Sequence, residues 1–87
     1  MAKTIFKYKL ATGATFYTIA MRAGAEICHV GLDPRNSPCV WAIIDSEAPR
    51  AWVKVSVIGT GMDVPEGATF LGTFVDDPYV WHAFLHP

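Results

Sequence analysis

The groups in this 87-residue chain able to bind a metal or move a proton are His29, His82 and His86, Cys28 and Cys39, three serines and eight acidic residues. The tightest histidine pair is His82 and His86, which on one strand would stand about 13 Å apart at a rise of ~3.3 Å per residue, too far for one zinc to bridge. Cys28 and Cys39 flank the stretch 33–38 without the close cysteine pair of a zinc knuckle or redox site. Both are expected to be reduced thiols serving as small core hydrophobes. Ser37, Ser46 and Ser56 occupy no glycine-flanked elbow of the kind that strains a nucleophile into the open. Asp76-Asp77 before Pro78 reads as a solvated turn rather than a paired-carboxylate site. The residues therefore predict no catalytic group, no metal ligand and no cofactor, and the protein is expected not to be an enzyme.

What remains is binding chemistry. Gly59-Thr60-Gly61 follows an apolar stretch and has the composition of a backbone nest, in which successive amides point at one anion. A dinucleotide motif would need further glycines and a following helix, so the segment reads either as a strand-end turn or as an anion loop. In the second case Thr60 supplies a hydroxyl, and Arg50 and Lys54, expected one strand away, supply positive charge. Eleven aromatic residues, three of them Trp, exceed what so small a core holds easily, and some belong at an interface. Trp41 is expected mainly in the core, Trp52 is divided between core and surface, and Trp41 or Trp81 is the candidate to stack on a base while a guanidinium pairs with phosphate. Burial of the same aromatics between subunits fits equally well.

A composition of 52% apolar and 17% charged residues with net charge −1 describes one small globular domain spanning 1–87 and leaves no room for a barrel enzyme or dinucleotide fold. A core of this size gains stability by oligomerising, so a homo-oligomer is expected. Residues 1–22 carry Lys3, Lys7, Lys9 and Arg22 with no acid, whereas residues 55–87 carry Asp63, Glu66, Asp76 and Asp77 with no Lys or Arg. Strands of opposite sign are expected to pair. The chain is too poor in cations for a duplex binder, so long nucleic acid is not an expected partner. No run of 18 apolar residues occurs and Met1–Thr4 leads straight into alternating sequence, so the expected location is the cytoplasm, with no membrane contact.

The elements that must position these groups read as strands. Thr4–Leu10 alternates with Phe6, Tyr8 and Leu10 inward, and Thr15–Met21 resumes the two-residue period after Ala11-Thr12-Gly13-Ala14, predicting a hairpin. Glu26–Leu32 places Ile27 on one face and Cys28, Val30 and Leu32 on the other. Cys39–Ile44, apolar on both faces, suits a central strand. Ala51–Ile58 interleaves Val53, Val55 and Val57 with Trp52, Lys54 and Ser56. Thr69–Val75 and Val80–Leu85 complete seven strands, with at most a helical turn or two near Glu47 or Pro65. The predicted fold is all-β, a compact antiparallel sandwich or small barrel.

The ordered series Ile5-Phe6-Lys7-Tyr8, Gly24-Ala25-Glu26-Ile27, Pro38-Cys39-Val40-Trp41-Ala42, Val57-Ile58-Gly59-Thr60-Gly61, Phe70-Leu71-Gly72-Thr73-Phe74 and Val80-Trp81-His82-Ala83-Phe84 resembles a group of small, mostly uncharacterised proteins of tailed bacteriophages. The resemblance implies a phage gene acting in the host cytoplasm. Such proteins outside the virion serve as accessory factors, and the expectation is a counter-defence binding protein. It would sequester a cyclic or modified nucleotide signal as an oligomeric sponge, using Arg50, Lys54, Gly59, Thr60, Gly61, Trp41 and Trp81. The alternatives are an inhibitor that covers a host protein surface and a minor virion component.

Overall fold

The computed structural model describes residues 2–12 and 16–87 and contains, among them, seven strands and no helix. They are β1 Lys3–Lys9, β2 Tyr17–Arg22, β3 Glu26–Leu32, β4 Pro38–Asp45, β5 Arg50–Gly59, β6 Thr69–Asp76 and β7 Tyr79–Leu85. Each overlaps a stretch whose apolar residues alternate or run continuously in the sequence. The tip of the connection after β1, including Gly13 and Ala14, and Thr15 lie outside the described residues. All pairings are antiparallel, in a three-stranded sheet ordered β1-β4-β3 and a four-stranded sheet ordered β2-β5-β7-β6. The two sheets form a sandwich.

Its interior is built from the inward residues of both sheets. Val40, Ala42 and Ile44 of β4 meet Val55 and Val57 of β5, Ala83 of β7, Met21 of β2 and Phe74 of β6. β4 is the central strand of its sheet, as its apolar run predicts. Trp41, expected in the core, is instead only half-buried, between Lys7 and His29 in register, because Val40 and Ala42 take the inward positions on either side of it. Its ring lies 5.4 Å from that of His29. Cys39 is buried, but Cys28 is exposed rather than part of the core. A bulge between Ile27 and His29 resets the alternation, so Cys28 leaves the face of Val30 and its Sγ donates to the Trp41 carbonyl at 3.3 Å.

Two expected pairings do not occur. β1 and β2 form no hairpin; β1 pairs with β4 and β2 with β5, so consecutive strands enter opposite sheets. The two-residue period dictates which face of a strand is buried and leaves open which neighbour accepts its hydrogen bonds. Nor do the basic and acidic strands pair: β2 and β6 are the two outer strands of the four-stranded sheet, with β5 and β7 between them. Burial of the apolar rows decides the order, since exposed ion pairs are worth only about 0–1 kcal/mol.

The sandwich is closed at one side and parted at the other. A Cβ placed on Gly72 of β6 would stand 3.4 Å from the Val30 Cβ of β3. The fold's two register shifts fall in these same two strands, at Ile27–His29 and Phe70–Gly72. Opposite them, β1 and β2 leave a cleft lined by Phe6, Tyr8, Ala20, Met21, Arg22 and Arg50.

The loop between β3 and β4 is held by Asp33. Its Oδ1 accepts from the Arg35 and Ser37 amides and its Oδ2 from Lys7 Nζ, each at 2.9 Å. The Lys7 ammonium and the two amides hold the carboxyl well below the usual carboxylate range. Elsewhere in the interior the Tyr17 hydroxyl is enclosed, and burial pushes its pKa up to about 12. A phenol harder to ionise folded than unfolded stabilises the fold below its ordinary value near 10 and loses that contribution as pH rises through about 12. Tyr17→Phe is therefore expected to flatten the alkaline fall in stability, read as the denaturant midpoint at pH 9 to 12; an unchanged alkaline limb would assign it to other groups.

Candidate functional site

β5 ends in the turn Gly59-Thr60-Gly61-Met62, closed by the Met62 amide donating to the Gly59 carbonyl at 3.1 Å. Gly61 adopts φ +94°, a backbone that L side chains rarely take, which accounts for the second glycine. The Gly59 amide donates to Met62 Sδ at 3.3 Å, so a side chain of the turn itself already occupies this donor. Antiparallel pairing of β5 with β7 sets Gly59 opposite Trp81 and Ile58 opposite His82. A Cβ on Gly59 would lie 3.7 Å from the Trp81 ring, an ordinary contact distance, so the indole packs beside the strand end.

His82 links the turn to β6. Its Nε2 lies 2.8 Å from Thr60 Oγ1 and its Nδ1 2.9 Å from Thr73 Oγ1. A neutral imidazole donates through one nitrogen and accepts through the other, so each threonine takes the complementary role. Two hollows flank this chain. One, of about 240 Å³, is lined by Ile58, Met62, Val64, Phe70, His82 and Phe84 beside the glycine turn. The other, of about 380 Å³, lies among Gly59, Thr60, Pro78, Tyr79, Val80 and Trp81.

Of the seven residues expected to bind a ligand, Gly59, Thr60, Gly61 and Trp81 therefore meet at one place. Arg50 and Lys54 do not join them. Both lie on β5 itself, ~30 Å and ~16 Å along the strand from Gly59 at ~3.3 Å per residue. Lys54 Nζ stands 4.6 Å over the ring of Phe16, and Trp41 is in the other sheet. No Lys or Arg among the described residues lines either hollow beside the turn, and its charged sequence neighbour is Asp63. A hydroxyl–imidazole–hydroxyl chain between apolar hollows suits a neutral polar group better than a phosphate. Both ring nitrogens of His82 are taken by hydroxyls, so Thr73 stands where a carboxylate would orient a catalytic imidazole. His82 and Thr73 are the residues that reading the sequence missed; their convergence depends on the β5-β7-β6 register, for which no motif exists.

A second feature emerges only in three dimensions. Of the ten large hydrophobic residues exposed among the described residues, Phe16, Trp52, Met62, Val64, Phe70, Val75 and Val80 lie on the outer side of the four-stranded sheet. Trp52 is 74% exposed and Phe70 57%. Beneath them Ile58 and Phe84 are buried, and the same face carries Lys54, the Ser56–His86 pair and the Thr60–His82–Thr73 chain among its apolar side chains.

No curated protein and no solved structure matches this chain. The resemblance to a small uncharacterised family holds at the level of the family. A family model covers every residue from 1 to 87, and the protein belongs to the family it describes, a domain of unknown function, DUF7352.

Proposed function

We propose that the protein is a non-enzymatic accessory factor of a tailed bacteriophage, acting in the host cytoplasm by covering the surface of a host protein with the outer face of its four-stranded sheet. The observation that carries this reading is the concentration of exposed apolar side chains on that one face. Soluble monomers seldom expose large contiguous apolar patches, and the outward face of an antiparallel sheet is ordinarily polar. Trp52, Phe70 and Met62 are residue types that anchor interfaces, and the threonine–histidine chain gives the patch a polar line for registering a partner. The face, rather than the β1 edge, is the docking element. Edge strand β1 carries Lys3, Lys7 and Lys9, which discourage strand addition.

Substituting Trp52→Glu and Phe70→Glu together is expected to abolish recovery of a stoichiometric host protein with the tagged chain, while the denaturation midpoint stays close to wild type, because both side chains are exposed. Retention of the same partner by the double variant would remove this face from the account. A second reading, sequestration of a cyclic or modified nucleotide signal by a homo-oligomer, draws support from a different place, the arginine-bearing cleft between β1 and β2.

A further inference from the structure

We propose that the cleft between the edges of β1 and β2 binds a nucleotide, with its phosphate gripped by Arg22 and Arg50 and its base laid against Phe6 and Tyr8. This site stands apart from the glycine turn; Arg50 lies two residues from Trp52 on the same side of β5, so the cleft borders the docking face at the β2 edge.

The first observation is a like-charge pair. Arg22 of β2 and Arg50 of β5 are direct cross-strand partners. Like charges placed directly opposite one another destabilise a sheet, so the pair opposes folding in the absence of a counter-ion. The register cannot slip to separate them, because the backbone pairing continues past them with the Ala23 amide donating to the Pro49 carbonyl at 2.8 Å. Arg22 Nη1 donates to the Ala48 carbonyl at 3.1 Å, which uses one of five guanidinium donors and restrains the others. Neither arginine forms an ion pair with an acid among the described residues, and Arg50 is exposed.

The second observation is the cleft's walls. Arg22 and Arg50 line it together with Phe6, Tyr8, Ala20 and Met21. Phe6 belongs to the inward row of β1, opposite Ala42, yet is 50% exposed at the mouth of the cleft it shares with β2. Its ring lies 6.4 Å from that of Tyr8, and the two form an aromatic wall beside the cations. Met21, 2% exposed, belongs to the core behind them. No carboxylate lines the space.

A planar aromatic ring carrying a phosphate ester satisfies both halves at once. Two guanidinium groups offer forked donors to phosphate oxygens, and the phenyl and phenol faces offer stacking surface to a base. The cleft's volume, about 180 Å³, accommodates the phosphate and one face of the ring and leaves the remainder of the ligand in solvent. Mononucleotides, cyclic dinucleotides and the ends of single strands all present this chemistry.

Isothermal titration of the full chain with AMP, cyclic di-AMP and a short single-stranded oligonucleotide distinguishes those sources, with adenosine and inorganic phosphate as half-ligand controls. At least one nucleotide is expected to bind tighter than either control, with affinity falling as salt rises. Arg50→Ala is expected to raise that Kd by ~10-fold or more, the equivalent of one charged hydrogen bond. Arg50→Lys is expected to weaken binding as well, since a point charge replaces the fork. Without ligand, Arg50→Ala is expected to melt no lower than wild type, because it relieves the opposed charges. Phe70→Glu, on the docking face, is expected to leave nucleotide binding unchanged, which separates this proposal from the preceding one. Absence of binding by all three nucleotides, or wild-type affinity in Arg50→Ala, overturns the assignment; if Arg50→Ala fails to fold, Arg50→Lys decides by the same criterion.

Discussion

Ile44→Ala is expected to lower the stability of this domain by ~3 kcal/mol, within the ~2–5 kcal/mol range for truncating a fully buried isoleucine. Ile44 is 1% exposed, the largest fully buried side chain among the described residues, and belongs to the inward row of the central strand β4. The loss combines the transfer free energy of the deleted carbons with the cavity they leave, since strands on both sides of β4 prevent it from collapsing inward. A domain of this length melts ~4–8 °C lower for each kcal/mol lost, so a fall of ~15 °C is expected. Paired denaturant titrations check it. A loss below ~1 kcal/mol would show that neighbouring side chains fill the space and that the core is more pliant than its packing indicates.

The other large effect is expected at Asp33. Asp33→Ala deletes the acceptor of two amides and of the Lys7 ammonium in one change, and the Arg35 and Ser37 amides then compete for water at a site where Asp33 itself is 6% exposed. Asp33→Asn keeps an oxygen for the amides and loses the Lys7 ion pair and the Cys39 Sγ contact at Oδ2, so roughly half of the alanine penalty is expected from it. The two variants also separate in pH. The Asp33 carboxyl is held below its ordinary value of 3.8, so its contribution is fully present above that pH and is lost progressively below it, as protons reach the folded form. Stability of the wild type is therefore expected to fall more steeply than that of Asp33→Asn on titration below pH 4. Identical acid limbs in the two proteins would place the acid sensitivity at other carboxyl groups.

The strands were legible because their signal is local. Val53, Val55 and Val57 alternate with Trp52, Lys54 and Ser56, and that period alone marks β5 and its buried face. Pairing was not legible: the sequences of β1 and β2 announce two amphipathic strands near one another and contain nothing that sends them to opposite sheets. Cys28 was misplaced for a related reason, since one inserted residue in β3 moves it to the exposed side and no residue type signals a bulge. Within the candidate site, Gly59, Thr60 and Gly61 were visible as a dense turn, while His82 became visible only once register brought β7 and β6 to Thr60. Arg50 was singled out for its charge, but its partners, Arg22, Phe6 and Tyr8, come from two distant strands and are assembled by topology alone.

The unequal closure of the sandwich makes it a clamshell. Its spine is the Gly72–Val30 contact, where β3 and β6 meet too closely for a larger side chain to intervene without displacement. Its lips are β1 and β2, which are hydrogen-bonded to β4 and β5 and not to one another. Widening the gap between the lips breaks no rung of either ladder but draws Tyr8, Tyr17, Ile19 and Met21 away from the core against which they pack. The spine is thus the shut side of the shell and the lips its open side, so a guest reaches the half-exposed Phe6 ring from solvent without parting the sheets.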